Sequence, residues 1–247
     1  MKAVWKKILS GMVIIFFIFI GLFAWYINDD YDATDEALIA LESNEKVTVF
    51  EGNPLRFYPK NEEAEIGIIF YPGGKVEEEA YAPLMQSLAE EGYAVFLADM
   101  PFGLAVFDIN AAESIMAEHP EISQWYVAGH SLGGSMAAIF ASNAVEELAG
   151  LILLASYSTA DLSQTHLSVL SLYGSEDHVL NQEKVEEYRS KLPENHDEII
   201  IAGGNHAQFG NYGIQKGDGE SLISAEEQQR ITVQEIIQFI NEQKTNH

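Results

Sequence analysis

The chain has 247 residues, enough for one large α/β domain and short for two. It contains no cysteine, which excludes disulfides, thiol catalysis and cysteine-ligated metals. With 13 basic against 38 acidic residues it carries a net charge of −25, which disfavours nucleic acid and anionic headgroups as partners.

The first 27 residues form a separate segment. Met1-Lys2-Ala3-Val4-Trp5-Lys6-Lys7 is basic, and Ile8 through Ile27 carries no charge. An uncharged helix of that length spans about 30 Å, the thickness of a bilayer's hydrocarbon core. Trp25 and Tyr26 suit the far interface, and Asp29, Asp30 and Asp32 follow. Lysines before and acids after predict a cytoplasmic N-terminus, with the rest of the chain outside the cell membrane. A cleaved signal would have a shorter apolar core and a small-x-small site. This run ends in bulky residues instead, so a single-pass, uncleaved anchor is expected. Past the anchor, 10 basic residues face 38 acidic ones, a net of −28. An exported, soluble surface accounts for that excess.

Residues 28–45 are acidic and polar and read as a stalk with a lead-in helix. The catalytic domain is expected over 46–247. Lys46–Phe50 and Leu55–Tyr58 alternate as an antiparallel hairpin around Gly52-Asn53-Pro54. Strands and helices then alternate. Ile66–Tyr71 is followed by a helix from Glu77 to Glu91, and Ala94–Ala98 by a helix over Ile109–Glu118. Trp125–Ala128 precedes a small-residue helix at Ser135–Ala141. Leu151–Leu154 and Leu167–Tyr173 are further apolar runs. A helix over Gln182–Lys191, a strand at Glu198–Ala202 and an amphipathic helix over Ala225–Glu242 complete the chain. Continuous apolar strands between helices predict an α/β fold, its sheet mostly parallel and covered on both faces.

Between the third strand and its helix stands Gly129-His130-Ser131-Leu132-Gly133, a G-x-S-x-G spacing. A serine at the tip of a sharp strand-to-helix turn needs small residues two positions away on either side, and the glycines supply them. A serine hydroxyl also needs a base, and the base needs an orienting acid. In parallel sheets such groups collect beyond the carboxyl ends of strands. Gly174-Ser175-Glu176-Asp177 follows one strand and Gly203-Gly204-Asn205-His206 follows another. Asp177 is favoured over Glu176 and Asp161, and His206 over His178 and His196. His130 reads as packing beneath the turn, and an N-cap role is the plain alternative for Ser131. The backbone N–H of Leu132 is one expected oxyanion donor. The second comes from Tyr71-Pro72-Gly73-Gly74-Lys75, from Gly74 in preference to Lys75. No cofactor or metal is expected, because the histidines lack zinc-site spacing. Asp218 with Glu220 is a weak calcium pair in the glycine-rich segment 209–224, which has no other evident role.

These motifs resemble the α/β-hydrolase superfamily, in particular a small cap-less group related to dienelactone hydrolases. The matching residues are Tyr71-Pro72-Gly73-Gly74, Gly129-His130-Ser131-Leu132-Gly133-Gly134, Tyr173-Gly174-Ser175-Glu176-Asp177 and Gly204-Asn205-His206-Ala207-Gln208-Phe209-Gly210. The resemblance spans roughly residues 46–243 and implies the α/β-hydrolase fold. It implies a serine hydrolase acting on a small-molecule carboxylic ester through Ser131, His206 and Asp177. Dienelactone hydrolases use a cysteine nucleophile, absent here, which turns the expectation toward ordinary esters. The gap between Ala155 and Leu167 is too short for a helical lid, so an open site is expected. An acyltransferase or peptidase with the same triad is the alternative chemistry, and a non-catalytic binding module the alternative class.

Overall fold

The computed structural model describes residues 2–27, 30–61 and 63–245. Two compact units are present, residues 1–30 and 31–247. The first contains a 26-residue helix, α1 (Lys2–Ile27). Its stretch Trp5–Ala24 has a mean hydropathy of 2.4 and is long and apolar enough to cross a membrane. Asp29, read above as flanking that stretch, lies outside the described residues.

The second unit is built on one eight-stranded sheet in the order β1-β2-β4-β3-β5-β6-β7-β8. The strands are β1 (Val47–Phe50), β2 (Leu55–Pro59), β3 (Ile66–Tyr71), β4 (Ala94–Leu97), β5 (Gln124–His130), β6 (Gly150–Leu154), β7 (Ser168–Gly174) and β8 (His196–Ile201). The β1–β2 and β2–β4 pairs are antiparallel, and the pairs from β4 through β8 are parallel. This is an α/β-hydrolase fold. The apolar strands behave as their composition requires. Ile66, Ile68 and Phe70 enter one core layer, while Ile69 and Tyr71 enter the other. Period-two alternation therefore buries both faces, and all six residues of β3 are buried.

One face is covered by α3 (Ala82–Glu90) and α7 (Ala225–Thr245), the latter through Val233, Ile236, Phe239 and Ile240. These sit at the i, i+3, i+6, i+7 positions of an amphipathic helix. The other face is covered by α4 (Ala111–Glu118) and α5 (Leu132–Asn143) through Ala112, Ile115, Ala137, Ala138 and Ala141. A short α6 (Gln182–Tyr188) precedes β8. Two expected helices are mixed: Glu78–Tyr81 is a 3₁₀ turn before α3, and Arg189–Lys191 a 3₁₀ turn after α6. The last strand, expected from Glu198, begins at His196.

The segment expected as a stalk is divided. From Tyr31 onward the chain packs on the domain: Tyr31 N–H donates to Lys75 O at 2.7 Å and Tyr31 O accepts from Glu77 N–H at 3.1 Å. The short α2 (Asp35–Ile39) is N-capped by Thr34 and buries Ala37 completely.

Candidate active site

Ser131 joins β5 to α5 with φ 51° and ψ −120°. A non-glycine residue in that region stores about 1–3 kcal/mol of backbone strain and persists only where its surroundings hold it. They do so here through hydrogen bonds on both sides. Ser131 N–H donates to Leu154 O at 2.9 Å, and Ser156 Oγ donates to Ser131 O at 2.7 Å. The flanking glycines are required by contact. A Cβ on Gly129 would lie 2.6 Å from the Gly133 carbonyl carbon, and one on Gly133 would overlap the carbonyl oxygens of Tyr71 and Pro72. Ser131 is therefore presented by a turn that presses directly against the end of β3.

Asp177 and His206 are brought together. Asp177 lies in the turn after β7 and His206 in the turn after β8, and His206 Nδ1 is 2.9 Å from Asp177 Oδ2, with both side chains buried. The other carboxylate oxygen accepts from Val179 N–H at 2.9 Å and Leu180 N–H at 2.7 Å. With the carboxylate as acceptor, the imidazole proton sits on Nδ1 and Nε2 presents its lone pair. His206 Nε2 is buried and has no hydrogen-bond partner among the described residues, so no hydrogen bond joins it to Ser131. Serine–base bonds are often long before substrate arrives.

His130 lies beneath this pair. Its Nε2 is 3.2 Å from His206 O, a carbonyl that can only accept, so Nε2 carries the proton. Nδ1 is then the acceptor, and Tyr81 Oη donates to it at 2.8 Å while accepting from Gly73 N–H at 3.0 Å. Burial, then the neighbouring His206, hold the His130 pKa well below the usual imidazole value, so it stays neutral.

The loop after β3 divides its N–H groups. Gly73 N–H goes to Tyr81 and Lys75 N–H to Gly103 O at 2.9 Å. The Gly74 N–H has no acceptor among the described residues. Leu132 opens α5, so its N–H has no partner inside the helix. A Cβ on Gly74 would stand 3.0 Å from Leu132 Cδ2 and 3.5 Å from Leu132 Cβ, so the two residues are in contact.

The sequence matches an α/β-hydrolase family model over residues 67–230, two thirds of the chain. The chain belongs to the α/β-hydrolase family. Among solved structures it is similar to a predicted CIB-like hydrolase from Thermoplasma acidophilum. The identity is 17% and the TM-score 0.56, covering 77% of this chain and 98% of that one, a likeness of fold. No curated protein matches the sequence.

In this hydrolase the rival residues lie elsewhere. Glu176 accepts from Ser175 Oγ at 2.8 Å, and exposed Asp161 accepts from Ser163 N–H. His178 is exposed, and His196 Nδ1 donates to Pro193 O at 2.6 Å. Both carboxylate oxygens of Asp218, the residue weighed above with Glu220 for calcium, accept backbone N–H groups. Its Oδ2 accepts from Ala207 N–H at 2.9 Å, and its Oδ1 from His178 N–H at 3.3 Å and Gly219 N–H at 2.8 Å. No group of three or more potential metal ligands occurs among the described residues. The segment 209–224 thus braces the turns that carry Asp177 and His206. Sequence reasoning gave Asp218 another role and missed Tyr81 and Gln228. The last pairs with both backbone groups of Asn205, at 2.9 and 2.8 Å. Tyr81 and Gln228 are buried polar residues without a local motif, and only burial reveals them.

Proposed function

We propose that this hydrolase cleaves a carboxylic ester through an acyl-enzyme on Ser131. The observation that carries the reading is the buried Asp177–His206 pair, whose Nε2 has no hydrogen-bond partner among the described residues while Ser131 stands on a strained turn next to His130. In the first half-reaction Ser131 Oγ attacks the acyl carbonyl and passes its proton to His206 Nε2. The N–H groups of Leu132 and Gly74 stabilise the oxyanion. The imidazolium, held by Asp177, then protonates the departing alkoxide, leaving an ester on Ser131. Water, deprotonated by His206, attacks that ester and releases the acid with Ser131 restored.

A fluorophosphonate probe tests the reading. It should label Ser131 in wild type and fail on Ser131→Ala, and the variant should lose ester hydrolysis by a factor on the order of 10⁴–10⁶. Residual activity above a few per cent in a clean preparation overturns it. Transfer of the acyl group to added alcohols faster than to water would make the protein an acyltransferase.

We further propose that α1 is an uncleaved membrane anchor with the catalytic unit on the extracytoplasmic side. The length and hydropathy of Trp5–Ala24 and the lysines that precede it support this reading. Full-length protein should pellet with membranes and need detergent for release. A shortened protein in the medium would instead mark a cleaved signal.

A further inference from the structure

Two consecutive residues of the 209–224 segment hold the chain on both sides of the proposed acid and on both sides of the proposed base. On the acid side, Asp218 Oδ1 accepts from His178 N–H at 3.3 Å, and Gly219 packs so closely on the Glu176 carbonyl oxygen that a Cβ there would overlap it. On the base side, Asp218 Oδ2 accepts from Ala207 N–H at 2.9 Å, and Gly219 O accepts from Asn205 Nδ2 at 2.9 Å. Residues 176 and 178 flank Asp177, and residues 205 and 207 flank His206. One carboxylate therefore spans the two turns, with one oxygen on each.

The turns have other means of forming. They meet directly where Glu176 N–H donates to Gly204 O at 2.8 Å, and Asp177 Oδ1 closes its own turn on the N–H groups of Val179 and Leu180. Gln228 holds Asn205 from α7. Asp218 itself is only half-buried. What it adds is the relative placement of residues 178 and 207, each one step beyond the acid or the base. Hydrogen bonds to an ionised carboxylate are about twice as strong as neutral ones, so this link is stiff.

We propose that Asp218 is a positioning residue that fixes the distance and angle between Asp177 and His206, and acts on the reaction through them. This rests on the hydrolase reading above and adds how its base is held in line. Reacting groups must be kept within about 0.5 Å of the productive geometry. Asp218→Asn replaces one of the two oxygens by an NH2 group. Whichever way the amide turns, one of the two turns loses its acceptor and meets a donor instead.

The test uses the full-length protein in nanodiscs with p-nitrophenyl acetate as substrate. Asp218→Asn and Asp218→Ala should lower kcat about 10–100-fold and leave KM within about twofold. Glu220→Gln, which removes an exposed charge two positions along the same segment, should match wild type. A second readout separates position from stability. The proton between His206 Nδ1 and Asp177 Oδ2 gives a far-downfield NMR resonance, assigned by its loss in His206→Gln. It should broaden or move upfield in the Asp218 variants at temperatures where circular dichroism stays native. A kcat within about twofold of wild type, a resonance left in place, or an equal loss in Glu220→Gln overturns the proposal and leaves the hydrolase reading standing. Failure of both Asp218 variants to fold overturns it too, since Asp218 would then hold the fold rather than the pair. Absence of hydrolysis and of fluorophosphonate labelling in wild type defeats both.

Discussion

The hydroxyl of Tyr81 lies 2.8 Å from His130 Nδ1 and joins the two halves of the site. On one side it accepts from Gly73, next to the proposed oxyanion donor. On the other, His130 passes the connection to the backbone of His206. Tyr81 and His130 are both buried, so this relay runs where an unmet polar group costs about 1–3 kcal/mol.

Tyr81→Phe should therefore act through position. The Gly73 N–H and His130 Nδ1 lose their shared partner, and both proposed machinery loops gain freedom. The expected result is a kcat about 10–100-fold lower with KM little changed, because misplacement of about 1 Å costs that order of rate. A variant with unchanged kcat and only a lowered melting temperature would reduce Tyr81 to a packing residue.

Asp177→Asn separates orientation from bulk. An amide in place of the Asp177 carboxylate can donate to Nδ1, which turns the imidazole to the wrong tautomer and removes the lone pair from Nε2. The loss in kcat should be on the order of 10³–10⁴, as in triads generally. The two backbone donors, Val179 and Leu180, lie on the other oxygen, so the turn should persist and circular dichroism should stay native.

Glu78 gives a pH signature. Burial first, then repulsion from Glu79, Asp99 and Glu77, push its pKa up to about 7 from the ordinary 4.5. A raised carboxyl pKa means that the native state holds the proton longer than the unfolded chain. The resulting destabilisation is absent below about pH 4.5, grows through pH 4.5–7 and is complete above pH 7. Glu78→Gln should accordingly melt higher than wild type at pH 8, with the gap closing toward pH 4.5. A gap independent of pH in thermal melts would show that the carboxyl does not titrate in this range.

Truncation tests where the catalytic unit begins. Tyr31 contacts Lys75 and Glu77, its ring packs 5.5 Å from that of Tyr212, and Thr34 N–H donates to Asn211 O at 2.8 Å. A chain starting at Asp30 should be soluble and hydrolyse esters. One starting at Asp35 removes all of these contacts from the oxyanion loop and the 209–224 segment, and should melt lower and hydrolyse more slowly. Equal melting points and rates for the two would place the true boundary later.

Much of the molecule was legible from local chemistry. β3 is Ile66–Tyr71 in both readings, because a charge-free apolar run between turn signals can be little else than a buried strand. The turn at Ser131 was legible for a related reason: only glycine fits at 129 and 133, and that restriction is written into the sequence. Asp177 and His206 were named from their places after strand ends, and the structure puts them 2.9 Å apart. Sheet order, the division of N–H groups between Gly73, Gly74 and Lys75, and the partners of Tyr81 and Asp218 were decided by tertiary structure alone. Each depends on which distant backbone group an N–H or hydroxyl meets, across 8 residues for Gly73 and Tyr81 and 40 for His178 and Asp218. A sequence specifies the strain and burial that each residue must resolve locally; which partner resolves it is settled only when the strands take their order and the loops beyond them meet.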